Sequence, residues 1–277
     1  MLPFTANPTA PKSCRAVFLS DFHLGARACQ PKPIVEFLRR INADTIYLVG
    51  DILDLWHGGQ LYWGAEHDAV IAELDRHYRL GTRIVYLPGN HDTDMRRPDA
   101  VPPFAHTEKR EALVHLTAEG KRYLVLHGDQ CDSRLMRWHF MTRIGSRVDS
   151  LVRRIDTAIN QFWGEERFER SLSERLIGQF NSLMLGDRFE TRLARLAEAT
   201  GTDGVICGHS HKPTLRKVGD TQFANSGDWV DSLTALIEEH DGALKLYEFA
   251  PETVPRPAPV AEPFATPVTA TVSVEQA

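Results

Sequence analysis

Short apolar runs alternate along the chain with longer stretches in which apolar residues recur every three to four positions. The runs at 16–20, 45–50 and 83–89 predict buried strands, because each is almost continuously apolar and leads into Gly or Asp. Between them, 32–43 and 63–80 carry apolar residues at helical spacing. This order of strand, helix and strand predicts an α/β fold with parallel pairing in its first half.

The second half of the chain holds shorter and more closely spaced apolar runs. They lie at 113–116, 123–128 and 203–208, and three more lie between 221 and 250. We expect these runs to form antiparallel strands of a second sheet.

Two segments differ from this α/β body. Residues 132–200 carry apolar residues at amphipathic spacing, with helices predicted over 172–185 and 189–199, which indicates a helical insertion. The segment 250–277 holds six of the 16 prolines and few large apolar residues, so we expect a disordered tail. The predicted organisation is one domain over 1–249, with the insertion at about 132–200, followed by this tail.

Composition narrows the class of protein. The 277 residues are 42% hydrophobic and 25% charged, as in ordinary folded proteins. The net charge of −5 argues against a general nucleic-acid binder, so no nucleic-acid partner is expected. No apolar run is long enough to span a membrane, and the first residues do not resemble a secretion signal. The four cysteines lack metal or disulfide spacing, which favours a reducing cytoplasm.

Five polar motifs follow predicted strands, where open α/β sheets place their sites. Residues two apart share one face of a strand, so Asp21 and His23 are expected to point together, as are His209 and His211. Glycines before Asp51, Asn90 and His209 allow sharp turns and close approach to a ligand. The motifs are Asp21-Phe22-His23, Gly50-Asp51 with Asp54, Gly89-Asn90-His91-Asp92, His127-Gly128-Asp129 and Gly208-His209-Ser210-His211.

The side chains in these motifs are typical of a transition-metal site. Carboxylate, imidazole and amide oxygen together suit Mn²⁺, Fe or Zn²⁺ better than Ca²⁺ or a thiolate-bound metal. One catalytic ion normally takes three protein ligands, and the motifs offer more than that. The pattern therefore favours two metal ions.

The ordered set DxH, GDxxD, GNHD, H and GHxH resembles the calcineurin-like metallophosphoesterases over residues 21–211. The resemblance implies a four-layer αββα sandwich, with the helical insertion as a lid, around a centre of two divalent ions, Mn²⁺ first among them. The ligands that it implies are Asp21, His23, Asp51 and His211 for one ion, and Asp51, Asn90, His127 and His209 for the other.

Two cations about 3.5–4 Å apart clamp a phosphoryl group and lower the pKa of a bound water. Beside them, His91 is expected to donate a proton to the leaving oxygen or to stabilise phosphoryl charge, and Asp92 to orient His91. Asp54 either faces the site or caps the next segment. Asp129 either supports a ligand or forms a turn.

The segments SDFHLG, YLVGDILDLW, LPGNHD, HGD and GHSHKP resemble the UDP-2,3-diacylglucosamine pyrophosphatase group of lipid A synthesis. That resemblance implies hydrolysis of a nucleotide-sugar lipid to UMP and a sugar 1-phosphate lipid, by a cytoplasmic protein loosely attached to the inner membrane. Members of the group usually carry arginine where this chain has His91, which indicates a paralogous branch with a different or broader phosphoester substrate. The third interpretation is a non-catalytic scaffold. It predicts that metal-ligand residues have been lost, whereas every expected ligand type is present.

Six arginines lie between positions 134 and 154, against one acid, Asp149. Among them, Arg147, Arg153 and Arg154 are candidates for binding substrate phosphates or an anionic membrane surface. The alternative is a solvated face of a helix packed on the body. The sequence does not fix the oligomeric state.

Overall fold

Eleven strands and three α-helices make up the part of the chain that the computed structural model describes, residues 12–55, 61–104, 106–131 and 189–251. The helices are α1 Pro31–Arg39, α2 Ala65–Arg79 and α3 Phe189–Ala199, with 3₁₀ turns at Thr93–Arg96 and Asp129–Cys131. The strands are β1 Lys12–Leu19, β2 Ile41–Val49, β3 Arg83–Leu87, β4 Glu108–Lys109, β5 Ala112–Leu116, β6 Arg122–Leu126, β7 Gly204–Cys207, β8 Thr214–Val218, β9 Thr221–Asn225, β10 Thr234–Glu238 and β11 Leu244–Glu248.

The strands form two mixed sheets. The first has the order β11-β10-β1-β2-β3-β4, in which β1 to β4 run parallel while β10 and β11 pair antiparallel at the other edge. The second has the order β5-β6-β7-β9-β8, with β6, β7 and β9 parallel and an antiparallel strand at each edge.

Buried apolar clusters show how the layers stack. One cluster joins Ile34 of α1 to Leu48 of β2, on the outer face of the first sheet. Another joins Leu193 of α3 to Leu124 of β6, on the outer face of the second sheet. A third fills the space between the sheets and includes Phe18, Val49, Val125 and Ile206. The order is helix, sheet, sheet, helix, so the predicted αββα sandwich is confirmed.

The boundary between α1 and β2 differs from the prediction of a helix over 32–43. Ile41 lies seven positions after Ile34 and so fits the helical pattern, yet it is the first residue of β2. From Ile41 to Asp44 the residues are buried and exposed in turn, which is the period of a strand. The apolar spacing alone could not separate the two patterns.

The prediction that the later runs form an antiparallel second sheet was wrong in two respects. β10 and β11 belong to the first sheet, where Ile237 pairs with Val17 of β1. In the second sheet, β6, β7 and β9 are parallel, and the sequence between the end of β6 at Leu126 and the start of β7 at Gly204 is long enough for the crossover that parallel strands require. The short strands β4 and β8 were not predicted, because Glu108–Lys109 and Thr214–Val218 carry few apolar side chains.

Part of the predicted organisation can be compared with the structure. The helix predicted over 189–199 is confirmed as α3, but it packs on the second sheet through Leu193 and so belongs to the sandwich and not to the predicted insertion. Residues 132–188, which include Arg147, Arg153 and Arg154, lie outside the described residues, and so does the tail from 252 onward. In the ranges that are described, no helix has both the length and the apolar character needed to cross a bilayer.

Candidate metal centre

The predicted ligands converge at one edge of the sandwich, where strands of both sheets end. Asp21, Asp51 and Asn90 follow β1, β2 and β3 of the first sheet. His127 and His209 follow β6 and β7 of the second sheet. Parallel strands bring their carboxyl ends to the same edge, so residues distant in sequence meet there.

The backbone at this edge is strained. Left-handed φ angles are uncommon for residues other than glycine and cost roughly 1–2 kcal/mol each. Five of the predicted ligands adopt them: Asp21 (56°), His23 (50°), Asp51 (52°), His209 (69°) and His211 (53°). These turns, rather than a shared strand face, bring Asp21 and His23 together, because β1 ends at Leu19. Strain of this kind is typical of functional sites.

Glycine is required at two of the turns. Gly50 has φ of 80°, and a Cβ at this position would overlap the ring of His127. At Gly208, a Cβ would lie 2.6 Å from Asp21 Oδ2. These glycines therefore allow the ligand residues to approach the backbone closely, and the predicted approach of a bound ligand stays a prediction.

One group of ligand atoms comes from Asp21, His23 and His211, and these atoms lie within 4.8 Å of one another. His211 Nε2 is 3.2 Å from Asp21 Oδ1, and His23 Nε2 is 3.3 Å from His211 Nε2. Burial lowers the pKa of His23, whereas the adjacent Asp21 carboxylate raises the pKa of His211. The arrangement gathers two imidazoles and a carboxylate around one point.

A second group comes from Asp51, His127 and His209, again with its ligand atoms within 4.8 Å of one another. His127 Nδ1 lies 2.9 Å from the Val49 carbonyl oxygen, which leaves Nε2 facing Asp51 Oδ2 at 3.3 Å. Such a hydrogen bond to the second ring nitrogen is how metal-binding histidines are usually oriented. Asp51 also lies in a third group with His23 and His91, so the clusters are continuous.

The charge state of the second group follows from its pairing. Burial lowers the pKa of His127, but attraction to the Asp51 carboxylate outweighs burial and raises this pKa to about 10. Burial raises the pKa of Asp51, while His127 and His91 lower it, and the net pKa is below the ordinary value. Without a metal, a proton on His127 therefore balances the buried carboxylate.

Three buried atoms of the predicted ligands form no hydrogen bond, although two of them approach an oppositely charged group. They are Asp21 Oδ1, 3.2 Å from His211 Nε2, His127 Nε2, 3.3 Å from Asp51 Oδ2, and Asn90 Oδ1. Buried polar atoms are nearly always hydrogen-bonded, and an exception calls for an explanation such as an ion. Two of the three are oxygens, which can only accept, and all three are good ligands for Mn²⁺, Fe or Zn²⁺. The residues present therefore fit a divalent metal centre.

His91 lies beside the first group. Its ring is 4.5 Å from the His23 ring, and Nδ1 is 3.0 Å from Asp54 Oδ1. The His91 side chain is 25% exposed, so it can reach a molecule entering from outside. Of the two alternatives for Asp54, the structure supports the one in which it faces the site.

The expectation that Asp92 orients His91 needs correction. Both oxygens of its buried carboxylate accept other hydrogen bonds: Oδ1 from Gly89 N and Oδ2 from Tyr86 Oη and the Ile52 and Leu53 amides. Asp92 therefore holds the loops after β2 and β3 together. Asp54 is the carboxylate in contact with the His91 ring.

Nothing in the sequence indicated that Arg96 lies near the site, and two alternative roles were left open for Asp129. Asp129 lies in the 3₁₀ turn after His127, and its carboxylate is bound by both terminal nitrogens of Arg96 at 2.8–2.9 Å. Arg96 lies in no motif, so only the fold shows that it approaches this turn.

Comparison with known proteins identifies the family. A profile of the calcineurin-like phosphoesterases matches residues 14–213, which cover the whole ligand cluster. The chain belongs to the calcineurin-like phosphoesterase family. This phosphoesterase is therefore a metal-dependent hydrolase, in agreement with the enzyme class that the motifs predicted.

Curated relatives of this phosphoesterase carry a more specific name. A UDP-2,3-diacylglucosamine hydrolase of Ralstonia nicotianae is 27% identical over 233 residues, covering 76% of this chain and 82% of the relative. Another of that name, from Chromohalobacter salexigens, is 27% identical over 252 residues, covering 84% and 97%.

Among solved structures, the phosphoesterase is similar to a phosphoesterase from E. coli, with 14% identity, a TM-score of 0.42 and coverage of 85% of this chain and 99% of the other. A novel archaeal phosphodiesterase matches with 14% identity, a TM-score of 0.38 and coverage of 84% and 98%.

Proposed function

We propose that this phosphoesterase uses two divalent cations to hydrolyse the pyrophosphate bond of UDP-2,3-diacylglucosamine, or of a related nucleotide-sugar lipid, to UMP and a sugar 1-phosphate lipid. The metal requirement is supported chiefly by the three unpartnered ligand atoms at one edge of the sandwich. The substrate is supported by the names of relatives that are 27% identical over most of the chain.

In this proposal the first ion is held by Asp21, His23, Asp51 and His211, and the second by Asp51, Asn90, His127 and His209. When bound, such a pair of ions supplies Lewis-acid stabilisation of phosphoryl charge and an acidified water as nucleophile. Mn²⁺ is preferred because the donors are oxygen and imidazole nitrogen, and Fe and Zn²⁺ remain alternatives.

The chain contributes a proton donor through His91. Asp54 contacts Nδ1 of the ring, and in this proposal Nε2 donates a proton to the leaving oxygen or a hydrogen bond to a phosphoryl oxygen. The same contact holds the ring in place, so that no reorientation is needed during the reaction. Asp54 is thus a positioning residue for His91.

The second candidate is a phosphodiesterase or phosphomonoesterase of different substrate range, and the identity of His91 favours it. Arginine is permanently charged and binds phosphate through two hydrogen-bond donors, whereas histidine can give up a proton. A proton donor matters most for a poor leaving group such as an alkoxide. A phosphate leaving group, with a second pKa of about 6, needs protonation less.

A substrate panel tests the proposal. UDP-diacylglucosamine, bis-(p-nitrophenyl) phosphate and p-nitrophenyl phosphate would each be assayed with Mn²⁺ and after removal of metal with EDTA. We expect metal-dependent release of UMP, with kcat/KM highest for the nucleotide-sugar lipid. Higher kcat/KM on a simple ester would favour the second candidate, and turnover that survives EDTA and the Asp51→Asn substitution would contradict the metal mechanism.

We also propose that the protein associates peripherally with the inner membrane through the basic segment at 134–154. Six arginines against one acid give this segment the charge that attracts anionic lipid headgroups. Replacing Arg147, Arg153 and Arg154 with Ser should reduce binding to vesicles that contain anionic lipid. Unchanged vesicle binding and unchanged KM would instead indicate a solvated face.

A further inference from the structure

Arg96 makes contacts that connect loops from both sheets. It is the last residue of the 3₁₀ turn after β3, and its side chain is 21% exposed. The two terminal nitrogens bind the two oxygens of Asp129 at 2.9 and 2.8 Å, and one of them also donates to the Pro88 carbonyl oxygen at 3.0 Å. Nε lies 3.1 Å from Glu111 Oε1.

Two partners of Arg96 lie next to proposed ligands of the second ion. One of these ligands, Asn90, follows the first sheet, and the other, His127, follows the second sheet. Pro88 lies two positions before Asn90, in the loop that leaves the first sheet. Asp129 lies two positions after His127, in the loop that leaves the second sheet. One guanidinium therefore fixes the approach of Asn90 and His127, whose ligand atoms are both buried and unpartnered.

Asp21, a residue of the first ion, is connected to the second sheet in a different way. Its Oδ2 accepts from the backbone amide of His209, a residue of the second ion, at 3.0 Å, and next to Asp21 the Ser20 Oγ lies 2.7 Å from Ser226 Oγ. These contacts run through backbone and hydroxyl groups, and Arg96 takes part in none of them. A change at Arg96 should therefore act on one side of the centre.

The geometry of the Arg96 contact is specific. A planar guanidinium can bind both carboxylate oxygens and a carbonyl at once, whereas a lysine ammonium is a point charge on a flexible stem. The carboxylates of Asp129 and Glu111 are 8% and 10% exposed. Glu111 also accepts from Gln130 Nε2 at 2.7 Å, so Asp129, bound by both terminal nitrogens, is the carboxylate that depends more on this cation. Lysine at this position would keep the charge and lose the simultaneous contacts.

We propose that Arg96 is a positioning residue for the second metal ion, which sets the separation of Asn90 and His127 through Pro88 and Asp129. This inference rests on the proposed two-metal function. It assigns to Arg96 an effect on one ion only.

The test is a calorimetric titration of the metal-free protein with Mn²⁺, comparing wild type with Arg96→Lys. His209→Ala and His211→Ala identify which binding step belongs to which ion, because each removes a ligand from one group only. We expect Arg96→Lys to weaken the step that His209→Ala abolishes by about 10–100-fold, as for other residues that orient metal ligands, and to leave the other step unchanged.

The matched control is Arg97→Lys, because Arg97 pairs with the exposed Asp99 at the surface. Asp129→Asn removes the same contact from the other side and should repeat the selective effect, which covers the case that Arg96→Lys folds poorly. Equal weakening of both steps, or no weakening, would overturn the inference while leaving two-metal binding intact. A wild type that binds fewer than two ions would overturn the two-metal proposal, and this inference with it.

Discussion

Two buried polar clusters connect the two sheets, one at the metal centre and one formed by Tyr47, His115, Glu238 and Arg15. In the second cluster, His115 Nδ1 lies 3.0 Å from Tyr47 Oη and Nε2 lies 2.6 Å from Glu238 Oε2. Glu238 Oε1 accepts from Arg15 Nη1 at 2.6 Å and from the Ala118 amide at 2.8 Å. Every polar atom that Tyr47, His115 and Glu238 bring into this cluster has a partner.

The metal centre is built in the opposite way. Asp21 Oδ1, Asn90 Oδ1 and His127 Nε2 are buried and form no hydrogen bond, and five of the predicted ligands, Asp21 among them, have a left-handed backbone. Both clusters lie between the same sheets, so burial alone does not distinguish a binding site from a structural network. Buried polar atoms without hydrogen bonds and backbone strain do distinguish a binding site, because both lower stability and persist where function requires them.

The largest expected effect comes from Asp51, which lies in two of the three groups of ligand atoms. Asp51→Asn should lower kcat/KM by about 10³-fold or more, because both ions lose a shared carboxylate. Metal analysis of the purified variant should show fewer than two ions per chain. Asp44→Asn, at an exposed carboxylate of β2, the strand that precedes Asp51, is the control and should have neither effect. Full activity of Asp51→Asn would remove Asp51 from the centre.

His91 separates catalysis from metal binding within the strained cluster. His91→Ala should retain two ions and lower turnover by roughly 10²–10⁴-fold, as expected for loss of a general acid. The loss should be greater for an alkyl phosphodiester than for p-nitrophenyl phosphate, whose leaving group needs no proton. Asp54→Ala should give a smaller loss with the same dependence on leaving group. Loss of an ion from His91→Ala would show instead that His91 is a ligand, as its place beside His23 and Asp51 allows.

Local patterns in the sequence were sufficient for much of this picture. β1, β2 and β3 were predicted because each is a buried run that ends at a polar motif, and the motifs gave the types of ligand, whereas the family resemblance implied which residue holds which ion. The ligand atoms form three overlapping groups, and the division between two ions that the family resemblance implied stays a prediction. How the side chains converge was not predictable from strand periodicity, since left-handed turns and not strand faces orient them.

Contacts between distant residues could not be predicted from one sequence. His115 and Glu238 are 123 positions apart, and nothing in either local pattern indicates the pair. Arg96 and Asp129 come from loops of different sheets, so their pairing depends on how the sheets stack. The same reason explains why β10 and β11 were placed in the wrong sheet: their apolar pattern fixes the strand and not its neighbour.

Breaking the hydrogen bonds around Glu238 should lower the free energy of unfolding and leave the rate of catalysis unchanged. Glu238→Ala leaves His115 and Arg15 without their carboxylate, and loss of one partner from a buried pair costs about 3 kcal/mol of unfolding free energy. Urea unfolding measures this change, and kcat of the folded variant should equal that of wild type. Glu239→Ala is the control, because its ion pairs with Lys12 and Lys245 are at the surface and contribute less than about 1 kcal/mol. A variant that loses activity but not stability would reverse the contrast between the clusters.

The smallest expected effect is a change in the pH dependence of stability. Burial raises the pKa of Glu238, but the hydrogen bonds from His115, the Ala118 amide and Arg15 outweigh it, so the pKa in the folded protein lies below the ordinary 4.5. The unfolded chain therefore binds the proton first as pH falls, and the stability that the carboxylate contributes above pH 4.5 is lost as pH falls through the lower folded-state pKa.

Glu238→Gln cannot titrate at this position and preserves the shape of the side chain. Unfolding free energies of the metal-free proteins, measured from pH 7 to pH 3, should therefore converge below about pH 4.5, with wild type falling more steeply. The other carboxylates and the histidines of the metal centre are present in both proteins, so the difference between the curves reports Glu238 together with its hydrogen-bonded partner His115. Parallel curves would mean that Glu238 keeps its ordinary pKa on folding, and that its hydrogen bonds favour the neutral acid as much as the carboxylate.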